Sequence, residues 1–422
     1  MPEIITSNDG QYAFEIVKAI CSEVGPGIAG SSQERERAEY IKKELVSHLG
    51  TKNVVVEEFT FAPAAFLGSQ LISTLCMLSA VVLNIVTGLI TGIQPWLTVI
   101  AALVLSISSI LIFILEFVLG LELVDPIFKQ KTSVNVIGTL RKPGPKSVKR
   151  LLILSGHHDS AVEFTWLRLT GFGYFILIAT WLIAIITVLV MNTIQLWGVI
   201  AGNADIIRIG TIGWIPLIYP IVPALIFAVF FQGERKNGGT VPGAVDNLAA
   251  SALTVAMCRF LVNNPGYIPA DTEIRCISFG GEESGVRGSR RYVKRHLDEL
   301  QRLNAQVLNF EMVAHSVITI LTSEANGTVK NSPAMVQSVV DAAERAGVPY
   351  KVQPASLGMG SDAGPFSQAG LKATTLYPFK FPQQTVAFYH QRKDSTDVLT
   401  LEPLLNVLRL TFEWIRSNAD ME

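Results

Sequence analysis

The sequence predicts an α/β fold, a three-layer sandwich with a mixed, mostly parallel sheet, plus four inserted transmembrane helices in two hairpins. Three observations predict it. Apolar strand-like runs alternate with helix-like runs over most of the chain. Long charge-free segments interrupt that alternation twice. The composition, 49% hydrophobic and 16% charged over 422 residues, is too apolar for an ordinary soluble domain and too charged for a membrane bundle alone.

From the amino end, Asp9–Val24 and Ser31–Leu49 read as helices; the second opens on serines with Glu34 close behind and ends at Leu49-Gly50. Val54–Phe61 alternates as a strand. Residues 1–60 are polar and amphipathic, so no secretory leader is expected. Four scattered cysteines without a CxxC pair point to reduced thiols. A net charge of -1 gives no basic footprint for nucleic acid, and none is expected as a partner.

Phe66–Ile90 and Thr91–Leu115 carry no charge, and Gly92-Ile93-Gln94-Pro95 separates them, which predicts a membrane hairpin over 63–124. Leu169–Ala204 and Ile209–Gly233 repeat the pattern in a second hairpin, 167–233, turning at Asn203, Asp205 and Arg208. Trp96, Trp181, Trp197, Trp214 and Tyr219 read as interface anchors, although tryptophan is also a common core residue, and Glu116, near the end of the second span, is expected to snorkel before it would mark a functional polar site. Even span numbers keep the pieces 1–62, 125–166 and 234–422 on one side of the bilayer. Lys129, Lys131, Arg168, Arg235 and Lys236 flank the spans on that side, against Arg208 alone on the other. The positive-inside rule then predicts a multi-pass protein, expected in the plasma membrane, with its soluble domain in the cytoplasm.

The three soluble pieces together suit one domain. Ser133–Leu140, Arg150–Ser155, Glu273–Phe279, Gln306–Met312 and Leu371–Leu376 read as strands. Ala249–Val262, Gly288–Leu300, Ser332–Gly347 and Pro403–Ser417 read as helices.

Acidic and imidazole side chains gather at the ends of these strands. Glu282 and Glu283 follow a buried strand; adjacent carboxylates repel unless a cation sits between them, so one could bind a metal and the other act as base, although a solvated acidic turn fits an isolated pair equally well. His157 stands two residues before Asp159 at another strand end, a spacing that lets the carboxylate orient the imidazole of a metal ligand. Asp246 precedes a helix, where it could cap the end or bridge two ions. Glu311 lies in an apolar strand, an expensive place for an unpaired carboxylate. His390 sits in a polar loop. The set is a donor inventory for two zinc-type ions, other divalent metals being compatible.

The segments GHHDS, GAVDNLAASA, FGGEESGVRGSRRY, NFEMV, GSDAGPF and YHQRKDSTD, in this order, resemble the co-catalytic zinc aminopeptidases and their glutamate-carboxypeptidase relatives. The resemblance spans nearly all of the soluble part and implies the zinc exopeptidase type of fold. It implies that His157, Asp246 and Glu311 bind one zinc, and that Asp246, Glu283 and His390 bind the other. Glu282 would be the general base and Asp159 would orient His157. Asp362 would support the substrate pocket and Phe366 would form a wall of it. The expected activity is peptide-bond hydrolysis, as an aminopeptidase before a carboxypeptidase or other amide hydrolase; a membrane receptor or scaffold with a degenerate peptidase domain is the alternative of another class. Expected partners are a peptide substrate, the lipid bilayer and, for the spans, a second copy in a homodimer. Glu311 departs from the family, where aspartate is the commoner residue. His158, adjacent to His157, faces the other way along the strand and is expected to be structural.

Overall fold

A computed structural model describes residues 4–89, 95–142, 144, 147–209 and 240–418. The chain divides into two compact units: Met1–Pro63, Gln130–Glu163 and Thr240–Glu422 form one, and Ala64–Lys129 with Phe164–Gly239 form the other.

The first unit is built on ten strands: β1 (Val54–Phe61), β2 (Lys131–Arg141), β3 (Arg150–His157), β4 (Thr272–Phe279), β5 (Gln306–Phe310), β6 (Ile318–Leu321), β7 (Ser323–Glu324), β8 (Val329–Lys330), β9 (Tyr350–Gln353) and β10 (Lys372–Tyr377). Eight make one sheet in the order β1-β2-β4-β3-β5-β10-β6-β9; β7 and β8 pair separately. β4, β3, β5 and β10 run parallel and adjacent, β1 and β2 join antiparallel on one side, and β6 is antiparallel to β10. β6 and β9, four residues each, are strands that the sequence reading omits.

Burial on both faces explains the near-continuous apolar run of β3. Leu152 and Leu154 point into one core with the helices Ser7–Glu23, Ala249–Asn263 and Leu401–Ser417; Leu151 and Ile153 point into the opposite core, against the helix Arg287–Arg302. These are the three layers. Edge strand β1 instead carries Glu57 and Glu58, charges that discourage further pairing. Gly156 of β3 lies so close to the helix Ala249–Asn263 that a Cβ there would be 2.5 Å from Ala250 Cβ. All four cysteines are free thiols.

The second unit holds the helices Ala65–Leu89, Pro95–Ile112 and Gly173–Ile200; a π-helical turn, Phe113–Val118, extends the second. Each is long and apolar enough to cross a membrane. The fourth expected span, Ile209–Gly233, lies outside the described residues except for Ile209, as do Trp214 and Tyr219. A further segment of the first unit, Ala244–Asn263, is also long and apolar enough, but it is 89% buried over its apolar stretch and begins with the distorted turn that holds Asp246, so it is a core helix.

This second unit has a small apolar core, with Met77, Val81, Ile185 and Val188 buried, and it also carries apolar side chains on its surface. Leu75, Val82, Val104, Ile176 and Ile186 are more than half exposed, while Ser73, Asn84, Ser106, Asn192 and Gln195 are buried. Asn192 accepts from Asn84 Nδ2 (3.0 Å) and donates to Ser106 Oγ (2.5 Å), joining three helices. Two expectations change here. Trp181 is not an interface anchor: it is buried, with Nε1 donating to Thr74 Oγ1 at 3.2 Å, whereas Trp96 and Trp197 are exposed. Glu116 does not snorkel: it is buried, and its Oε1 accepts the Val124 amide at 2.8 Å, because the π-helical turn aims it at the returning backbone.

Candidate metal centre

The carboxyl ends of β4, β3 and β5, side by side in the sheet, deliver three parts of one cluster, as strand ends do in open α/β sheets. β3 ends on His157, with Asp159 two residues on; Glu282 and Glu283 follow β4; Glu311 follows β5. Asp246 comes from the distorted turn Ala244–Leu248, where Asp246 and Asn247 leave helical φ/ψ and the peptide bond between them is cis. His390, at φ 47°, completes the set from the loop after β10.

His157 Nε2 lies 3.5 Å from Asp246 Oδ1, 3.5 Å from Glu311 Oε1 and 3.5 Å from Glu282 Oε2. His390 Nε2 lies 3.1 Å from Asp246 Oδ2 and 3.3 Å from Glu283 Oε2. Among the described residues, the donor atoms of His157, Asp246 and Glu311, those of Asp246, Glu283 and His390, and those of His157, Glu282 and Glu283 form three overlapping groups, each within 4.8 Å. Asp246 thus turns one oxygen to each histidine. Donors held about 2.1 Å from one tetrahedral ion stand about 3.4 Å apart, which is the spacing seen here. His157 Nε2 and Glu283 Oε1 are buried without a hydrogen-bond partner, as donors aimed at an ion would be.

Charge makes the same point. Burial disfavours a charged His390, yet Glu283 and Asp246 outweigh it and lift its pKa to about 10. His157 is likewise held well above its ordinary value, Glu282 and Glu311 overcoming burial. Burial pushes Glu311 up to about 8 and Glu282 well above the carboxylate range. Burial would raise Asp246, yet the two imidazoles beside it, His157 and His390, hold it below its ordinary value. Left to itself the cluster gathers protons, which is what an excess of buried carboxylate does when cations are needed.

Several side chains hold the donors. Asp159 accepts the amides of Glu282 (3.1 Å, Oδ1) and Glu283 (3.0 Å, Oδ2), and Oδ1 lies 3.4 Å from His157 Nδ1. Asp394 accepts the amides of Val245 (2.8 Å) and Asp246 (3.1 Å). Asn247 Nδ2 donates to Glu311 Oε2 at 3.0 Å. Asp394 and Asn247 were not singled out from sequence; their nearness to His390 and Asp246 in the chain is the signal that could have found them.

His158 is fully buried, its Nδ1 2.9 Å from Ser278 Oγ on β4, and stands outside all three donor groups. Asp362 is fully buried, and burial pushes its pKa to about 7, with Asp159 and Glu324 adding to the rise. Phe366 does not form a pocket wall. It is fully buried, with Phe279 and Tyr292 6.2 and 6.1 Å away between ring centroids, because the short helix Ala363–Gln368 turns it into the core.

The family described as Peptidase family M28 matches residues 231–415. Aminopeptidase YwaD of Bacillus subtilis (strain 168) is 32% identical over 165 residues, 39% of this chain and 35% of that protein, so the chain spans about a third of the length of this curated relative. Among solved structures, the fold is similar to BSAP, a zinc aminopeptidase from Bacillus subtilis (TM-score 0.54, 16% identity, 97% of this chain and 95% of that one). It is also similar to a glutaminyl cyclase from an Acidobacteriales bacterium (TM-score 0.55, 13% identity, 98% and 96%). The family match takes in Asp246, Glu282, Glu283, Glu311 and His390 and leaves out His157 and Asp159.

Proposed function

We propose that this chain is a membrane-embedded zinc exopeptidase, an aminopeptidase, whose cluster holds two zinc ions. The observation that carries the proposal is the placement of the two Asp246 oxygens, one 3.5 Å from His157 Nε2 and the other 3.1 Å from His390 Nε2. His157, Asp246 and Glu311 would hold one ion; Asp246, Glu283 and His390 the other. Bound there, the ions would supply Lewis acidity and acidify a water. Glu282 takes the proton of the attacking water and returns it to the leaving amine. Its side chain keeps 13% exposure, so a reactant can reach it beside His157. Asp159 fixes Glu282 and Glu283 through their amides and orients His157.

The substrate is a peptide. The apolar surface of the second unit, with polar side chains such as Asn84 and Asn192 hydrogen-bonded in its interior, supports residence in a bilayer, and the lysines and arginines beside its spans support a cytoplasmic peptidase unit in the plasma membrane. Pairing into a homodimer is the other use of that apolar surface, and sizing in detergent separates the two. Glu282→Gln tests the chemistry: zinc content stays at the wild-type level while hydrolysis falls by roughly 10²–10⁴-fold. Full activity at full zinc content removes Glu282 as the base.

A further inference from the structure

The helix Ser32–Leu49 gives no donor to the cluster, yet two of its charged side chains, one turn apart, are buried against the loops that do. Glu34 is 1% exposed and Arg37 not at all. The Glu34 carboxylate accepts Gly30 N (2.6 Å), Ser133 Oγ (2.6 Å) and Gly281 N (3.0 Å); Gly281 immediately precedes Glu282 and Glu283. Arg37 donates through Nε and Nη2 to Gly25 O (2.8 and 2.5 Å), through Nη1 to His158 O (3.2 Å) and through Nη2 to Pro242 O (2.6 Å). His158 lies between His157 and Asp159. Pro242 lies four residues before Asp246.

The backbone is shaped to receive both groups. A Cβ at Gly27 would stand 2.6 Å from Arg37 Cδ, and one at Gly280 would stand 3.0 Å from Glu34 Oε1. Gly243, at φ 68°, passes 3.6 Å from Arg37 Nη1, measured from such a Cβ, and 2.6 Å from Asp246 O. A buried guanidinium is ordinarily paired with a carboxylate. The hydrogen bonds of Arg37 instead end on carbonyls of three separate segments, a task for a rigid planar fork that a point-charge ammonium performs poorly.

We infer that Glu34 and Arg37 are positioning residues of the metal centre: Glu34 fixes the loop bearing Glu282 and Glu283, and Arg37 locks the loop bearing His157 to the segment bearing Asp246. The inference rests on the metal reading proposed above. It gives the helix Ser32–Leu49 a function that its distance in sequence from every donor conceals.

The test uses the full chain in detergent, stripped of metal and titrated with zinc against a chelator of known affinity. Arg37→Met weakens zinc binding by about 10–100-fold, and Glu34→Gln weakens the step held by Glu283 and His390 while leaving the other step unchanged. Arg37→Lys recovers thermal stability without recovering zinc affinity, since charge returns and the fork does not. Leu45→Ala, a buried apolar truncation in the same helix, lowers Tm without moving zinc affinity. Should Arg37→Met not fold, Arg37→Lys and Glu34→Gln carry the test. Wild-type zinc affinity in those two variants, or equal loss of affinity in Leu45→Ala at a matched Tm, overturns the inference. Failure of the wild-type chain itself to bind zinc overturns the metal reading instead.

Discussion

Asp159→Asn isolates the hinge between β3 and the acidic loop. In the wild type each carboxylate oxygen accepts one amide, Glu282 N at 3.1 Å and Glu283 N at 3.0 Å, and His157 Nδ1 is 3.4 Å from the first. The asparagine amide offers one acceptor oxygen. Whichever amide that oxygen keeps, the other then faces an NH₂ donor in a fully buried place. A hydrogen bond to a charged group contributes roughly 1.5–3 kcal/mol, and the surviving neutral bond is about half as strong. A combined cost of about 2–3 kcal/mol, at about 1.4 kcal/mol per decade, is about 30- to 150-fold. That agrees with the roughly 10–100-fold typical of partners that orient metal ligands. The loss should divide between zinc affinity, measured against a competing chelator, and kcat/KM on a chromogenic aminoacyl amide at saturating zinc. If Asp159→Asn keeps both within about twofold, a change below the ~0.5 kcal/mol of an ordinary surface substitution, the carboxylate does not hold the loop and the hydrogen-bond reasoning fails.

Glu324, fully buried, accepts Asn331 (3.1 Å), Thr375 (2.7 Å) and Ser361 (2.9 Å), and burial raises its pKa above the ordinary 4.5. The folded state therefore keeps a proton that the unfolded chain releases, so this group costs stability as pH rises above 4.5. Glu324→Gln should gain Tm relative to wild type as pH rises from 4.5 toward 8; a gain that shrinks over that range contradicts the sign. Asn192→Leu in the second unit removes the bonds to Asn84 and Ser106 and should cost less than about 2 kcal/mol of stability in detergent, with kcat/KM unchanged; a larger loss contradicts the estimate. Removing metal with a chelator should abolish hydrolysis, and zinc should restore it; activity that survives complete removal contradicts the proposed chemistry.

Much of this arrangement is legible in the residues. β3, β4 and β5 announce themselves as buried strands, and His157, Glu283 and Glu311 lie where they stop, so strand, turn and chemistry coincide within a few residues. The short strands β6 and β9 escape because four residues set too brief a pattern. Phe366 misleads: an aromatic beside a glycine-rich loop looks like a pocket wall, and only the packing against Phe279 and Tyr292 shows that it points inward. Glu34 and Arg37 are hidden for another reason. Within Glu34-Arg35-Glu36-Arg37 every side chain looks solvated, and the two that are buried differ from the others only through partners as far as 247 and 205 positions away. Such partners belong to the topology and leave no local trace.

The measurement closest to the central claim is zinc stoichiometry of the purified full chain, in wild type and in Asp246→Ala. If Asp246 is shared between two ions, zinc-saturated wild type carries about two zinc per chain, and Asp246→Ala, having lost a donor from both ion sites at once, falls below about one. A single zinc in the wild type, or two retained by Asp246→Ala, contradicts the account.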